Sequence, residues 1–322
     1  SLLDENISFD PVDFLSIVER ARIKGDEAAA KRALAHMGIP LQESLEITTF
    51  YSSVGAYDEA VKFLDFVMAN GTSYSSTPMQ KNAVEPFTVS PMLNYMAGWY
   101  STLAGKDDTA VSYYKKAAEM SPDYCFPSRV EEMEMLRDVV LKNPSDYKAM
   151  YYLGNLLYYY NRKDEGIAMW KKSVEANDTY GMALRNLGFS ADNYRKDKKL
   201  AADYYHKAIV ADSSDPKFFV EQDVLEEALK VPSAQRLARL EKYRKTIEQS
   251  DDAMARYVYL LVDNGKYSKA LNILDTRHFR VWEGGSTVYT QFVDAHLLNG
   301  LNLLSRLSLI HISEPTRLRR IS

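Results

Sequence analysis

The chain has 322 residues, 46% hydrophobic and 26% charged, and 40 Lys and Arg against 44 Asp and Glu leave a net charge of −4. That composition excludes an intrinsically disordered chain, and the near-neutral balance argues against an electrostatic nucleic-acid binder. Cys125 is the lone cysteine, so neither an internal disulfide nor a multi-cysteine metal site is available. Twenty-three Tyr against 14 Gly and 11 Pro means many rings and few breakers, as in long helices packed on one another. No stretch reaches the ~18 apolar residues a spanning helix needs, so no membrane partner is expected. The opening Ser1-Leu2-Leu3-Asp4-Glu5 has neither the basic nor the apolar part of a secretory signal. It reads as the start of an excerpt, with the protein expected in the cytoplasm.

In chain order, residues 1–37 are predicted to hold a helix pair over 11–37 that turns near Gly25-Asp26. Gly55-Ala56-Tyr57-Asp58-Glu59-Ala60 predicts a left-handed glycine cap between two helices, and Gly265-Lys266-Tyr267-Ser268-Lys269-Ala270 repeats it. Asn70–Pro91, rich in Ser, Gly and Pro, reads as a long loop. Three segments then share one spacing. Gly98 is followed by Ala110, Tyr114, Ala117 and Pro122, and Gly154 by Gly166, Trp170, Ser173 and Asp178. Gly188 leads to Ala201, Tyr205, Ala208 and Ser213 with one inserted residue. The spacing has a steric cause. The first helix of each hairpin needs a small residue where the ring of the second approaches it, despite the ~1 kcal/mol cost of a mid-helix glycine. Gly154 and Gly188 lie 34 residues apart, the period of the tetratricopeptide repeat. Ser128–Lys142 reads as an unpaired or atypical second helix, and Phe218–Leu229 with Ser233–Ile247 as a further pair split at Val231-Pro232.

The run from Phe126-Pro127-Ser128-Arg129 through Tyr152-Leu153-Gly154-Asn155-Leu156-Leu157-Tyr158 to Arg277-His278-Phe279 and Trp282-Glu283-Gly284-Gly285 resembles bacterial tetratricopeptide proteins that carry a β-rich domain of unknown function upstream. The resemblance covers about residues 8–305. It implies an all-α, right-handed α-solenoid of tetratricopeptide-like helix hairpins over 38–305, with repeats near 41–72, 91–124, 147–180, 181–215 and 251–282. It also implies an interaction scaffold from a family with no settled activity. From Arg306 the pattern breaks. Leu307–Arg317 resembles a translated sequencing-adapter end, so 306–322 is expected to be a non-native tail, the alternative being a native basic C-terminal helix. The array is expected to stop abruptly at Leu303-Leu304.

In the repeat register that the resemblance supplies, Tyr95, Trp99, Lys148, Tyr151, Asn155, Tyr158, Tyr159, Arg185, Phe189, Asp192, Asn193 and Tyr259 line a concave groove. Rings interspersed with amides and an arginine suit a recognition surface. The alternative is that several of these rings pack within their own repeats. Asn155 and Asn186 match two asparagines of the family's carboxylate clamp, and Lys148 lies nearby. Tyr151 stands where the first clamp lysine belongs, however, and no arginine completes the set, so a clamp is not expected.

His278, Trp282 and Glu283 form a compact polar and aromatic loop. It offers an acid–base pair in principle, or simply a glycine-permitted turn with Trp282 capping the core. His36, His206, His278, His296 and His311 show no paired metal-ligand spacing, and no phosphate loop or nucleophile elbow is present. Cys125 reads as buried at a repeat junction, Asp107-Asp108 and Glu131-Glu132 as first-turn acids, and Arg195–Lys199 as a solvated turn. No cofactor and no catalytic residue are expected. The chain reads as a non-catalytic scaffold that holds a protein or peptide, its own upstream β-rich domain included, in an aromatic groove. The alternative is an accessory module of a carbohydrate-active protein, with the same rings stacked on sugars.

Overall fold

The computed structural model describes residues 1–34, 40–70, 90–123, 125–280 and 287–313. Among these there are helices and no strands. The chain divides into two compact units, Ser1–Asn177 and Asp178–Ser322. The first holds α1 (Leu2–Phe9), α2 (Phe14–Lys24), α3 (Glu27–Leu34), α4 (Pro40–Ser53) and α5 (Tyr57–Asn70). It continues with α6 (Pro91–Leu103), α7 (Asp107–Glu119), α8 (Val130–Lys142), α9 (Tyr147–Tyr159) and α10 (Lys163–Ala176). The second holds α11 (Gly181–Asn193), α12 (Lys198–Ala211), α13 (Pro216–Ala228) and α14 (Ser233–Lys242). After these come α15 (Arg244–Ile247), α16 (Asp251–Asp263), α17 (Tyr267–Thr276) and α18 (Thr287–Ser313). The all-α class and its building unit, the helix hairpin, are those the sequence predicts.

The helix boundaries follow from local chemistry. Ser90 caps α6 by accepting from the Met92 amide at 3.3 Å, with Pro91 at the first helical position. Asp146 caps α9 through the Ala149 amide at 3.0 Å, and Asp215 caps α13 through the Lys217 amide at 2.9 Å. Gly55 and Gly265, at φ +74° and +70°, make the left-handed turns before α5 and α17, where a side chain would be strained.

Hairpin packing depends on absent side chains. A methyl on Gly98 would overlap the Tyr114 ring of α7, and one on Gly154 would stand 2.5 Å from the Trp170 indole of α10. At Gly188 the nearest Tyr205 ring atom is 3.2 Å away, a looser fit. Ala110, Ala117, Ala201 and Ala208 are fully buried where the paired helices meet.

α8 stands outside the glycine-spaced hairpins and packs on α6 and α9 and, less extensively, on α7. Its Asp138 accepts from the Tyr114 hydroxyl at 2.5 Å and from Thr102 at 2.9 Å, while Lys142 donates to Thr102 at 2.7 Å. Two findings differ from the sequence reading. α1 precedes the predicted pair, started by a reciprocal Ser1–Asp4 capping box. And α18 does not stop at Leu303-Leu304: it runs on through Arg306 to Ser313, because nothing from Thr287 to Ser313 breaks a helix except the single Gly300. The predicted loop over 70–91 lies almost wholly outside the described residues, as do His36 and the tail beyond Ser313. No described helix is long and apolar enough to cross a membrane.

Candidate functional site

In the second unit, α11, α12 and α13 enclose a groove of about 300 Å³. Gly188 lets the Tyr205 ring lie close against α11, and Tyr205 and Leu225, each 4% exposed, form the floor. Burial pushes the Tyr205 phenol above its usual range, so it stays neutral. Phe189 on α11 and Val220, Val224 and Ala228 on α13 line the walls, with Val224 half-exposed. The rim is polar but internally paired. Lys198 holds Asp192 at 2.9 Å, and Arg185 forks onto Glu221, its Nε 2.8 Å from Oε2. The Arg185 guanidinium also lies 5.5 Å over the Phe189 ring. Asn193 donates to the Phe189 carbonyl at 3.1 Å. The result is a neutral-rimmed apolar slot.

Three groove residues expected from the sequence, Phe189, Asp192 and Asn193, meet in this slot, with Arg185 beside it. The α13 residues were missed because Pro216–Ala228 falls outside the recurring glycine spacing. Their signal was the Val220, Val224, Ala228 stripe at intervals of four. Tyr259 lies instead against an ion network joining α13, α14 and α16. Arg236 forks onto Asp223 at 2.8 and 2.9 Å, and Arg256 reaches Asp223 at 2.6 Å and Glu227 at 2.9 Å. Arg256 covers the Tyr259 ring at 4.9 Å, and hydrogen bonding to Glu227 raises the Tyr259 phenol.

In the first unit the structure corrects three expected groove residues. Tyr95 is fully buried, its hydroxyl donating to Asp146 at 2.8 Å and its ring edge-on to Tyr152. Tyr151 is 8% exposed and packs against Tyr152. The buried Lys148 donates to the Ala118 and Met120 carbonyls at 2.9 and 2.5 Å, a cation at the C-terminus of α7. All three belong to the core: α8 packs on both α6 and α9, and the Tyr95 side chain of α6 reaches Asp146 at the start of α9 and Tyr152 within it. Asn155 accepts from the Trp170 indole at 2.9 Å, and Tyr158 is half-buried with its ring 5.0 Å from that indole. Trp99 is half-buried beside Tyr100, whereas Tyr159 is 77% exposed.

His278 is exposed at the rim of a polar cleft of about 530 Å³ with Asp251, Arg277 and Arg280. Arg277 and the Arg280 amide both hold Asp251, which lowers its carboxyl below the ordinary range. Trp282 and Glu283 lie outside the described residues. Cys125 is 5% exposed, its thiol pushed up to about 12 by burial, and so is unreactive as a nucleophile at neutral pH. Among the described residues no group of three or more His, Cys, Asp and Glu could hold a metal ion.

No family model matches the chain. Among solved structures it is similar to YrrB, a TPR protein with an unusual peptide-binding site, at 18% identity over 58% of this chain and 95% of that one, with a TM-score of 0.41. It is similar to MamA at 16% identity over 61% and 95% of the two chains, with a TM-score of 0.28. PilF of Pseudomonas aeruginosa aligns at 12% identity over 81% and 96%, with a TM-score of 0.37. Likenesses this loose add nothing to what the hairpins themselves show.

Proposed function

We propose that the chain is a non-catalytic scaffold that holds a segment of a protein partner, with the α11–α13 slot as a seat for one apolar side chain of that segment. The observation that supports this is the slot itself: an apolar floor and walls inside a rim whose charges already neutralise one another. Such a site rewards burial of a hydrocarbon or ring and gives a free charge nothing to pair with. Full burial of one such side chain contributes about 1.5–3 kcal/mol, so affinity would come from several contacts along the segment.

Phage-displayed peptides selected on the full chain test the reading. Peptides with an apolar anchor are expected, and Val224→Glu is expected to weaken them about tenfold or more with the helical circular dichroism unchanged. Selection that returns no peptide, or peptides indifferent to Val224→Glu, would remove the slot from the account. Glycan-array binding by the chain, with no peptide recovered, would favour the carbohydrate module instead.

A further inference from the structure

We propose a second docking surface in the first unit: a groove between α8 and α10 that takes an amphipathic helix of a protein partner, its apolar face flanked by carboxylates. The groove measures about 590 Å³ and shares no lining residue with the slot of the second unit. Its floor is Leu153 and Leu157, one turn apart on α9 and each 3% exposed. α8 carries three consecutive apolar residues where one core face uses only the first. Val139 is buried, Val140 half-buried and Leu141 77% exposed along the groove edge. On the opposite wall, Ala168 is exposed and keeps α10 low, and Met169 supplies a side chain that adapts to what it meets. Two helices resting on a third leave a trough shaped for a fourth, whose anchors would recur at i, i+3, i+4 and i+7.

Charge selects the occupant. Arg137, Arg162 and Lys172 surround the apolar floor against the single acid Glu165. Arg162 neutralises Glu165 through two bonds of 2.6 Å. Arg137 has only a loose contact with Glu134, at 3.6 Å between side chains 40% and 60% exposed, and Lys172 makes no ion pair among the described residues. The rim therefore presents one cation without an ion pair, Lys172, and a second, Arg137, held only by that loose contact. A partner helix with glutamates or aspartates beside its apolar stripe would be steered in and held in register, and one with lysines there would be repelled.

The test uses the full chain and two synthetic helical peptides with leucines at i, i+3, i+4 and i+7, one flanked by glutamates and its twin by lysines. In fluorescence anisotropy the glutamate peptide is expected to bind, more weakly as salt rises, and its twin about tenfold less. The double variant R137E/K172E is expected to invert that preference, and Leu141→Asp to lose both peptides. All three side chains are partly or largely exposed, so circular dichroism and thermal melting should match the parent chain. The proposal fails if neither peptide binds, if the parent chain binds both equally, or if the glutamate preference survives R137E/K172E. It also fails if Val224→Glu in the other unit removes the binding.

Discussion

A methyl group added to Gly154 has no room: the Trp170 ring would lie 2.5 Å away and the Gly166 carbonyl 3.0 Å. Neither a ring packed in a hairpin nor a helix backbone moves cheaply. Overpacking of about 1–3 kcal/mol should outweigh the ~1 kcal/mol that alanine gains in helix propensity. At Gly188 the corresponding contacts are 3.2–3.3 Å, and small shifts relieve them. Gly98→Ala and Gly154→Ala should therefore lower the urea midpoint, while Gly188→Ala should leave it nearly unchanged. Equal losses at all three sites would contradict the steric account. A second residue-scale expectation concerns Asp146, whose carboxyl is raised by burial although Tyr95 and Ala149 donate to it. A carboxylate raised in the folded state contributes most when protonated, and that contribution fades as pH rises through its folded value. Asp146→Asn keeps an acceptor oxygen and cannot ionise. Relative to the parent chain, the variant should thus gain stability as pH climbs from about 4 to about 7. A flat difference across that range would mean Asp146 ionises at no cost.

Elements behave differently from residues where charge is buried. Arg236 and Asp223 are 4% and 3% exposed, and Arg256 completes a knot tying α13 to α14 and α16. Removing one member strands the others away from water, so Asp223→Ala should cost about 3–5 kcal/mol in equilibrium unfolding. The paired change Asp223→Leu with Arg236→Met should cost less than Asp223→Ala alone, because it leaves no buried Arg236 guanidinium without its carboxylate, while Arg256 keeps its bond to Glu227 in either variant. A double variant as damaged as the single one would show that packing, not charge, dominates there. This knot was invisible in the sequence, since its members lie 13 and 33 residues apart on helices that no motif relates. What was legible had a local or strictly periodic cause. The recurring glycines stand opposite rings, and Gly55 and Gly265 mark the two left-handed caps. The repeat register assigned Tyr95 and Tyr151 to a surface because it assumes identical neighbours on both sides. The helix α8 breaks that regularity by packing on both α6 and α9, and in this stretch Tyr95 and Tyr151 both pack against Tyr152. Phe189, Asp192 and Asn193 belong to α11, within a regular hairpin, and they line the α11–α13 groove.

At the scale of the molecule, successive hairpins make stability a sum of local terms and nearest-neighbour contacts rather than one shared core. α9 packs on α10 and α8, whereas α16 packs on α17, α18, α13 and α14, so the two sets of partners do not overlap. A lesion in one should therefore not be felt evenly by the other. Gly154→Ala acts between α9 and α10, and its first cost should be local opening of that pair and of α8, which stands outside the glycine-spaced hairpins. Hydrogen exchange followed by mass spectrometry can read this directly, since opening free energies differ between cooperative segments of one protein. Peptides from α8, α9 and α10 should exchange about ten times faster or more in the variant, whereas those from α16 and α17 should keep their parent rates. The tenfold figure is the exchange equivalent of about 1.4 kcal/mol, the lower part of the overpacking range. A uniform loss of protection over both sets would mean that the chain unfolds as one cooperative body, and the additive description of its hairpins would then have to be abandoned.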